Sequence, residues 1–207
     1  MKNITRIYLL ALGFIGLVIG ISQFLIQSSI SGNASDSRII NISGRQRMLS
    51  QKISKAALAM ANADSDNEFI ARKKELENAI LTFKKSHEGL ISGSDELGLT
   101  TDNNNDKVLQ LYNNSQPFYA NIVSSSESLL SLNSIEVLSS SANTNRNIAT
   151  ILASENDFLT TMNSIVFEYD NISNEKINNL SVTEYILFAI VSLLLIVVAL
   201  FVFQPAV

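Results

Sequence analysis

Two uncharged, mostly apolar stretches frame the chain, and between them apolar residues recur at helical spacing. Residues 7–26 are 20 consecutive uncharged positions, which at ~1.5 Å per residue match the ~30 Å hydrocarbon core of a bilayer. Residues 185–203 form a second such run. Each predicts a transmembrane helix. A cleaved signal peptide competes for the first, because Lys2 and Arg6 precede it and small residues follow near 31–34. Its apolar run exceeds the ~7–15 residues of a signal, which favours an uncleaved anchor.

The intervening segment carries four amphipathic patterns. Ile39, Ile42, Leu49, Ile53, Ala56 and Met60 advance in steps of three and four, with a gap at Gln46, and predict a helix from the membrane to about Ala63. Asp64, Ser65, Asp66 and Asn67 supply a turn with N-cap chemistry. A second helix follows from Glu68 to about Ile91 on Phe69, Leu76, Ile80, Phe83 and Leu90, and Gly93 ends it. After a polar loop, a third begins near Asp106 with Val108, Leu111, Phe118, Ile122, Leu129 and Leu132. Pro117 removes one backbone donor within it, so a kink or local break is expected near Asn113. Asn133 and Ser134 offer a break, and 135–141 a short helical connector. From about Thr144 a long fourth helix bears Ile148, Ile151, Leu152, Phe158, Leu159, Met162, Ile165, Val166 and Tyr169, continuing into the second span.

This predicts an all-α fold: an antiparallel up-down four-helix bundle flanked by two transmembrane helices. The expected division is a cytoplasmic N-terminus at 1–6, spans at 7–26 and 185–203, a bundle domain at 27–184, and a cytoplasmic stub at 204–207. Lys2 and Arg6 orient the chain by the positive-inside rule, leaving the bundle outside a bacterial inner membrane, in the periplasm.

Composition narrows the function. Overall, 46% of residues are hydrophobic and the chain has no cysteine, so stability rests on helix packing rather than disulfides. All 19 acidic residues lie within 27–184, against the basic residues other than Lys2 and Arg6. An acidic exterior argues against nucleic acid or anionic lipid as partner. No cofactor is expected and no enzyme, because nucleophile–base–orienter sets, metal-ligand spacings and phosphate loops are missing. His87, the only histidine, is expected at the surface beside Lys84 and Glu88, and Glu168 and Asp170 are read as solvated surface charges. The run Asp102-Asn103-Asn104-Asn105-Asp106 lacks the central glycine and distal glutamate of a calcium loop, and reads as a polar loop with a helix cap.

Against this background residues 37–63 stand out. They hold Arg38, Arg45, Arg47, Lys52 and Lys55 and no acid. On a helix, Arg47 is ringed at three, four and seven residues by Gly44, Ser43, Ile40, Ser50, Gln51 and Ser54, mostly small or polar. Such a face admits close approach of another helix, with a guanidinium whose parallel donors suit a planar oxyanion. A solvated basic face is the plainer reading of the same pattern.

The segment 40–52, Ile-Asn-Ile-Ser-Gly-Arg-Gln-Arg-Met-Leu-Ser-Gln-Lys, closely resembles the opening motif of the PilJ-type sensory domain of type IV pilus chemotaxis transducers. A looser form occurs in nitrate/nitrite sensor kinases of the NarX type. Leu159, Met162, Asn163, Val166 and Tyr169 resemble the family's last helix. The resemblance implies a sensory module that binds a small inorganic anion such as nitrate or nitrite at a homodimer interface. Carried over by motif, Arg47 is the anion ligand, with Gly44, Ser43 and Ser50 around it and Arg45 and Gln51 as secondary positions. The expected output is a helix displacement passed across the membrane to a separate or missing cytoplasmic domain; Pro205 resembles the entry to a HAMP-type linker. A membrane-anchored helical adaptor, its basic segment bound to an acidic protein surface, is the alternative.

Overall fold

The computed structural model describes residues 2–135 and 142–200. Among these the protein is all-α, with four helices: α1 Lys2–Ala61, α2 Asp66–Ser92, α3 Asp106–Leu130 and α4 Ala142–Val198. The chain divides into two compact units, one comprising Met1–Ala34 with Ile172–Val207, the other Ser35–Asn171. Most of the proposed connector, at 136–141, and the stretch 201–207 lie outside the described residues.

The Ser35–Asn171 unit is an up-down bundle. Its register is recorded by polar cross-links. Lys84 Nζ lies 2.7 Å from Glu127 Oε1 and Lys73 Nζ donates to Leu132 O at 2.6 Å, tying α2 to the end of α3. Asn121 Nδ2 donates to Ser154 Oγ at 3.2 Å and Asn147 Nδ2 to Ser128 Oγ at 2.8 Å, so numbers rise along α3 as they fall along α4. Gln46 Nε2 donates to Phe83 O at 3.1 Å, joining α1 to α2.

Local chemistry sets the ends. Ser65 caps α2, its Oγ accepting from Glu68 N at 3.3 Å, while Glu68 reaches back to Asp64 N. Gly93 ends α2 with φ +83°. Asn105 caps α3, its Oδ1 accepting from Val108 N at 2.8 Å. Helix α3 runs unbroken through Pro117, so of the kink or local break expected near Asn113 the break does not occur. Both residues lie on the exposed face, where water can take up the carbonyl that the proline leaves unbonded.

The core follows the expected stripes on α1 and α2, whereas on α4 the expected core residue Leu152 is exposed. Ile39, Ile42, Leu49, Ile53, Ala56 and Met60 of α1 are buried, as are Phe69, Leu76, Ile80, Phe83 and Leu90 of α2. Each large side chain so enclosed contributes on the order of 1.5–3 kcal/mol, far above the ~0–1 kcal/mol of a surface ion pair. The α3 stripe keeps Val108, Ile122 and Leu129 in the core as expected but moves by one residue at two positions: Tyr112 and Tyr119 are buried, whereas Leu111 and Phe118 are only half-buried. Those tyrosines pack their rings inward and keep a hydroxyl to spend on a polar partner.

In the other unit, α1 and α4 contribute apolar windows that are almost wholly unburied, and both are long and apolar enough to cross a membrane. Leu10, Phe24, Tyr185 and Phe188 are each more than 70% exposed, an arrangement suited to lipid rather than water.

Candidate functional site

Residues 37–61 of α1 belong to one unbroken helix in which Ser43 and Ser50 are satisfied locally, whereas the buried Ser54 hydroxyl has no partner. Ser43 Oγ donates to Ile39 O at 2.8 Å and Ile40 O at 3.0 Å, and Ser50 Oγ donates to Arg47 O at 2.8 Å. Both serines are fully buried. Hydroxyls folded back on their own helix make a narrow face, which lets a neighbouring helix come close.

On the adjoining face, Arg47 reaches α4. Arg47, half-buried, donates from Nη1 to Asn163 Oδ1, and its Nε lies 3.5 Å from Gly44 O. Gly44, Arg47, Met48, Gln51, Leu159 and Asn163 line an open depression along this seam. A Cβ on Gly44 would meet Arg47 Nη2 at 3.6 Å, ordinary contact, so glycine here widens the depression without being sterically demanded. Among the described residues no carboxylate pairs with Arg47. With its carbonyl oxygen on the guanidinium, Asn163 leaves its amide NH2 as a further donor. The depression thus combines one uncompensated positive charge with two side-chain amides and an apolar rim, a donor set matched to a small anion and offering no general base.

Of the residues singled out from the motif, the structure brings Arg47, Gly44 and Gln51 together. Ser43 and Ser50 face the bundle interior, and Arg45 is exposed outside the depression. Asn163 and Leu159 enter from a helix 116 residues away in sequence, in Asn163's case through its bond to Arg47. Their sequence signal was the resemblance of Leu159, Met162, Asn163, Val166 and Tyr169 to the family's last helix, which does not record that they face Arg47.

Next to the Gln46 bond the bundle holds an aromatic cluster. His87 is not at the surface: it is 2% exposed, stacked on Tyr119 with ring centroids 3.8 Å apart, and bordered by Phe83, Tyr112 and Phe158. Neither ring nitrogen has a hydrogen-bond partner in bonding geometry. Burial lowers its pKa to about 4, with the Gln116 side chain acting in the opposite sense. Burial raises Tyr119 to about 12, aided by Glu88 and Glu127, and raises Tyr169 to about 12. Glu168 also departs from expectation, being 8% exposed and paired with Lys107 at 2.5 Å, while Asp170 is exposed.

Searches of the curated proteins and of the solved structures gave no significant match. One family model does match, that of the type IV pili methyl-accepting chemotaxis transducer N-terminal domain (PilJ), over residues 29–153. This region takes in the Arg47 segment of α1, all of α2 and α3, and the start of α4; Asn163 lies beyond it. With more than half of its length matched and the motif, the four-helix bundle and the two apolar helices in place, the chain belongs to the PilJ family, the sensory N-terminal module of chemotaxis transducers.

Proposed function

We propose that the bundle binds a small inorganic oxyanion, nitrate or nitrite being the first to test, at Arg47 in a homodimer. The proposed arrangement has residues 1–6 in the cytoplasm, spans at 7–26 and 185–203, a periplasmic sensor at 27–184 and a return to the cytoplasm from 204, in a bacterial inner membrane.

The observation that supports this reading is the half-buried Arg47 guanidinium, open on one side and without a carboxylate partner among the described residues. In a two-fold dimer built on α1 each Arg47 faces its mate, because such an interface is self-complementary. Two guanidinium charges ~5 Å apart repel by about 3 kcal/mol at an effective dielectric near 20. An anion between them reverses the sign, and each charge-assisted hydrogen bond adds roughly 1.5–3 kcal/mol. Binding therefore favours one dimer arrangement over another, and a ~1–2 Å displacement of α1 against α4 is the signal. Such a signal is read by an output domain, in the same polypeptide or in a partner.

Titration calorimetry of the full chain in lipid nanodiscs with nitrate and nitrite, with chloride at equal ionic strength, tests the proposal. Saturable binding lost in Arg47→Ala supports it, whereas affinity retained in that variant overturns the assignment of the site. The adaptor reading draws on a different observation: Arg45, Lys52 and Lys55 are exposed and unpaired with any carboxylate among the described residues. It predicts binding of an acidic protein that weakens with any added salt, without anion selectivity.

A further inference from the structure

The 93–105 connection between α2 and α3 is longer than the ~2–8 residues that antiparallel helices of a bundle need. It also has a built interior. Ser94 and Leu99 exchange backbone hydrogen bonds at 2.9 and 2.8 Å, and Gly98 N donates to Asp95 O at 3.1 Å. Gly93 and Gly98, at φ +83° and +60°, are the positive-φ residues that make this knuckle.

The knuckle is fastened to three helices. On α2, Leu97 and Leu99 pack so closely over Gly89 that a Cβ there would meet them at 3.1 and 3.2 Å. Asn104 Nδ2 donates to Leu90 O at 2.9 Å and to Ile91 O at 3.1 Å. On α1, Asn103 Nδ2 donates to Asp36 Oδ1 at 2.7 Å, both residues being 3% exposed. The Arg38 side chain lies against Gly98, where a Cβ would come within 2.1 Å of Nη1. On α4, Tyr169 OH donates to Asn104 Oδ1 at 2.7 Å. Asp36 and Tyr169 stand at the two limits of the Ser35–Asn171 unit, where α1 enters the bundle and α4 leaves it.

A connector that only reversed the chain would have no use for a buried carboxylate, whose desolvation is costly unless it is bonded. We propose that the 93–105 segment is a strap that sets the register of α1 against α4 at the end of the bundle through which any displacement must leave. Asp36–Asn103 and Tyr169–Asn104 are hydrogen bonds that fasten it to α1 and to α4, one residue apart on the strap. Sliding α1 against α4 must break one of them or drag the strap with it. The inference rests on the sensory reading of the bundle and is independent of which anion, if any, Arg47 takes.

Hydrogen–deuterium exchange of the full chain in lipid nanodiscs, without added anion, tests the strap. Tyr169→Phe removes the hydroxyl on α4 that reaches Asn104 and keeps the packed ring. It is expected to raise amide exchange tenfold or more across 165–171 and also across 35–40 of α1, with less than twofold change at 53–60 and 148–155. Asn104→Ala is expected to do the same, and Tyr169→Phe keeps the test open if that variant does not fold. Exchange in Tyr169→Phe that is unchanged at 35–40, or that rises equally in all four segments, overturns the proposal. The first result would mean that the strap does not couple the helices, and the second that it contributes only global stability.

Discussion

His87 of α2 lies face to face with Tyr119 of α3, ring planes within 12° of each other, in the interior of the bundle. Its pKa is lowered from 6.5 to about 4, so between those values the unfolded chain binds the proton that the folded chain refuses. Stability from this group is therefore fully present above pH 6.5 and is lost as pH falls towards 4. The expected loss between pH 7 and 4.5 is roughly 2–3 kcal/mol. Denaturant unfolding at several pH values measures it, and in His87→Phe the slope over that window should flatten. An equally steep fall in that variant would assign the acid sensitivity to other groups.

Arg47 and Asn163 give a prediction on ligand binding. Bound oxyanion at 100 times its dissociation constant stabilises the folded protein by about 2.7 kcal/mol, seen as a rise in melting temperature. Arg47→Ala should remove that rise while leaving the unliganded protein folded. Arg47→Lys keeps the charge and loses the planar pair of donors, which should weaken binding tenfold or more. A lysine variant with full affinity would show that charge alone suffices.

Glu168 is nearly buried and its partner Lys107 is largely exposed. Lys107→Ala leaves a carboxylate in a poorly hydrated place and should cost roughly 1–2 kcal/mol, more than a surface pair would. Adding Glu168→Gln to that variant should recover much of the loss. A double-mutant cycle by chemical unfolding reads the coupling directly, and additive effects would place the cost outside the pair.

Gln46 interrupts the apolar stripe of α1 and is fully buried, with Oε1 lacking a partner. Gln46→Met keeps the length of the side chain and removes the unmet acceptor. Unfolding measurements should show a gain of about 1 kcal/mol. A loss instead would mean that its bond to Phe83 O outweighs the unsatisfied oxygen.

Much of this molecule was legible before any coordinates. The α1 and α2 stripes were read correctly, because one-sided burial writes itself into three- and four-residue steps. The caps at Ser65 and Asn105 and the stop at Gly93 were visible as residue types whose side chain or backbone suits a helix end. Phase failed where residues are amphipathic. Tyr112 and Tyr119 lost to their neighbours Leu111 and Phe118, since a hydropathy pattern ranks a ring with a hydroxyl below a purely apolar one.

The sequence by itself thus determined the helices, their caps, the two apolar spans and the basic motif that carries the family resemblance, all of which depend on neighbours within a few residues. The tertiary structure decided what lies between distant segments. It paired Arg47 with Asn163, enclosed His87 among four aromatic rings, buried Glu168 beside Lys107, and fastened the 93–105 connection to Asp36 and Tyr169. Burial and partnership arise when helices far apart in the chain come into register, and no local spacing records which residue will then lie across from which.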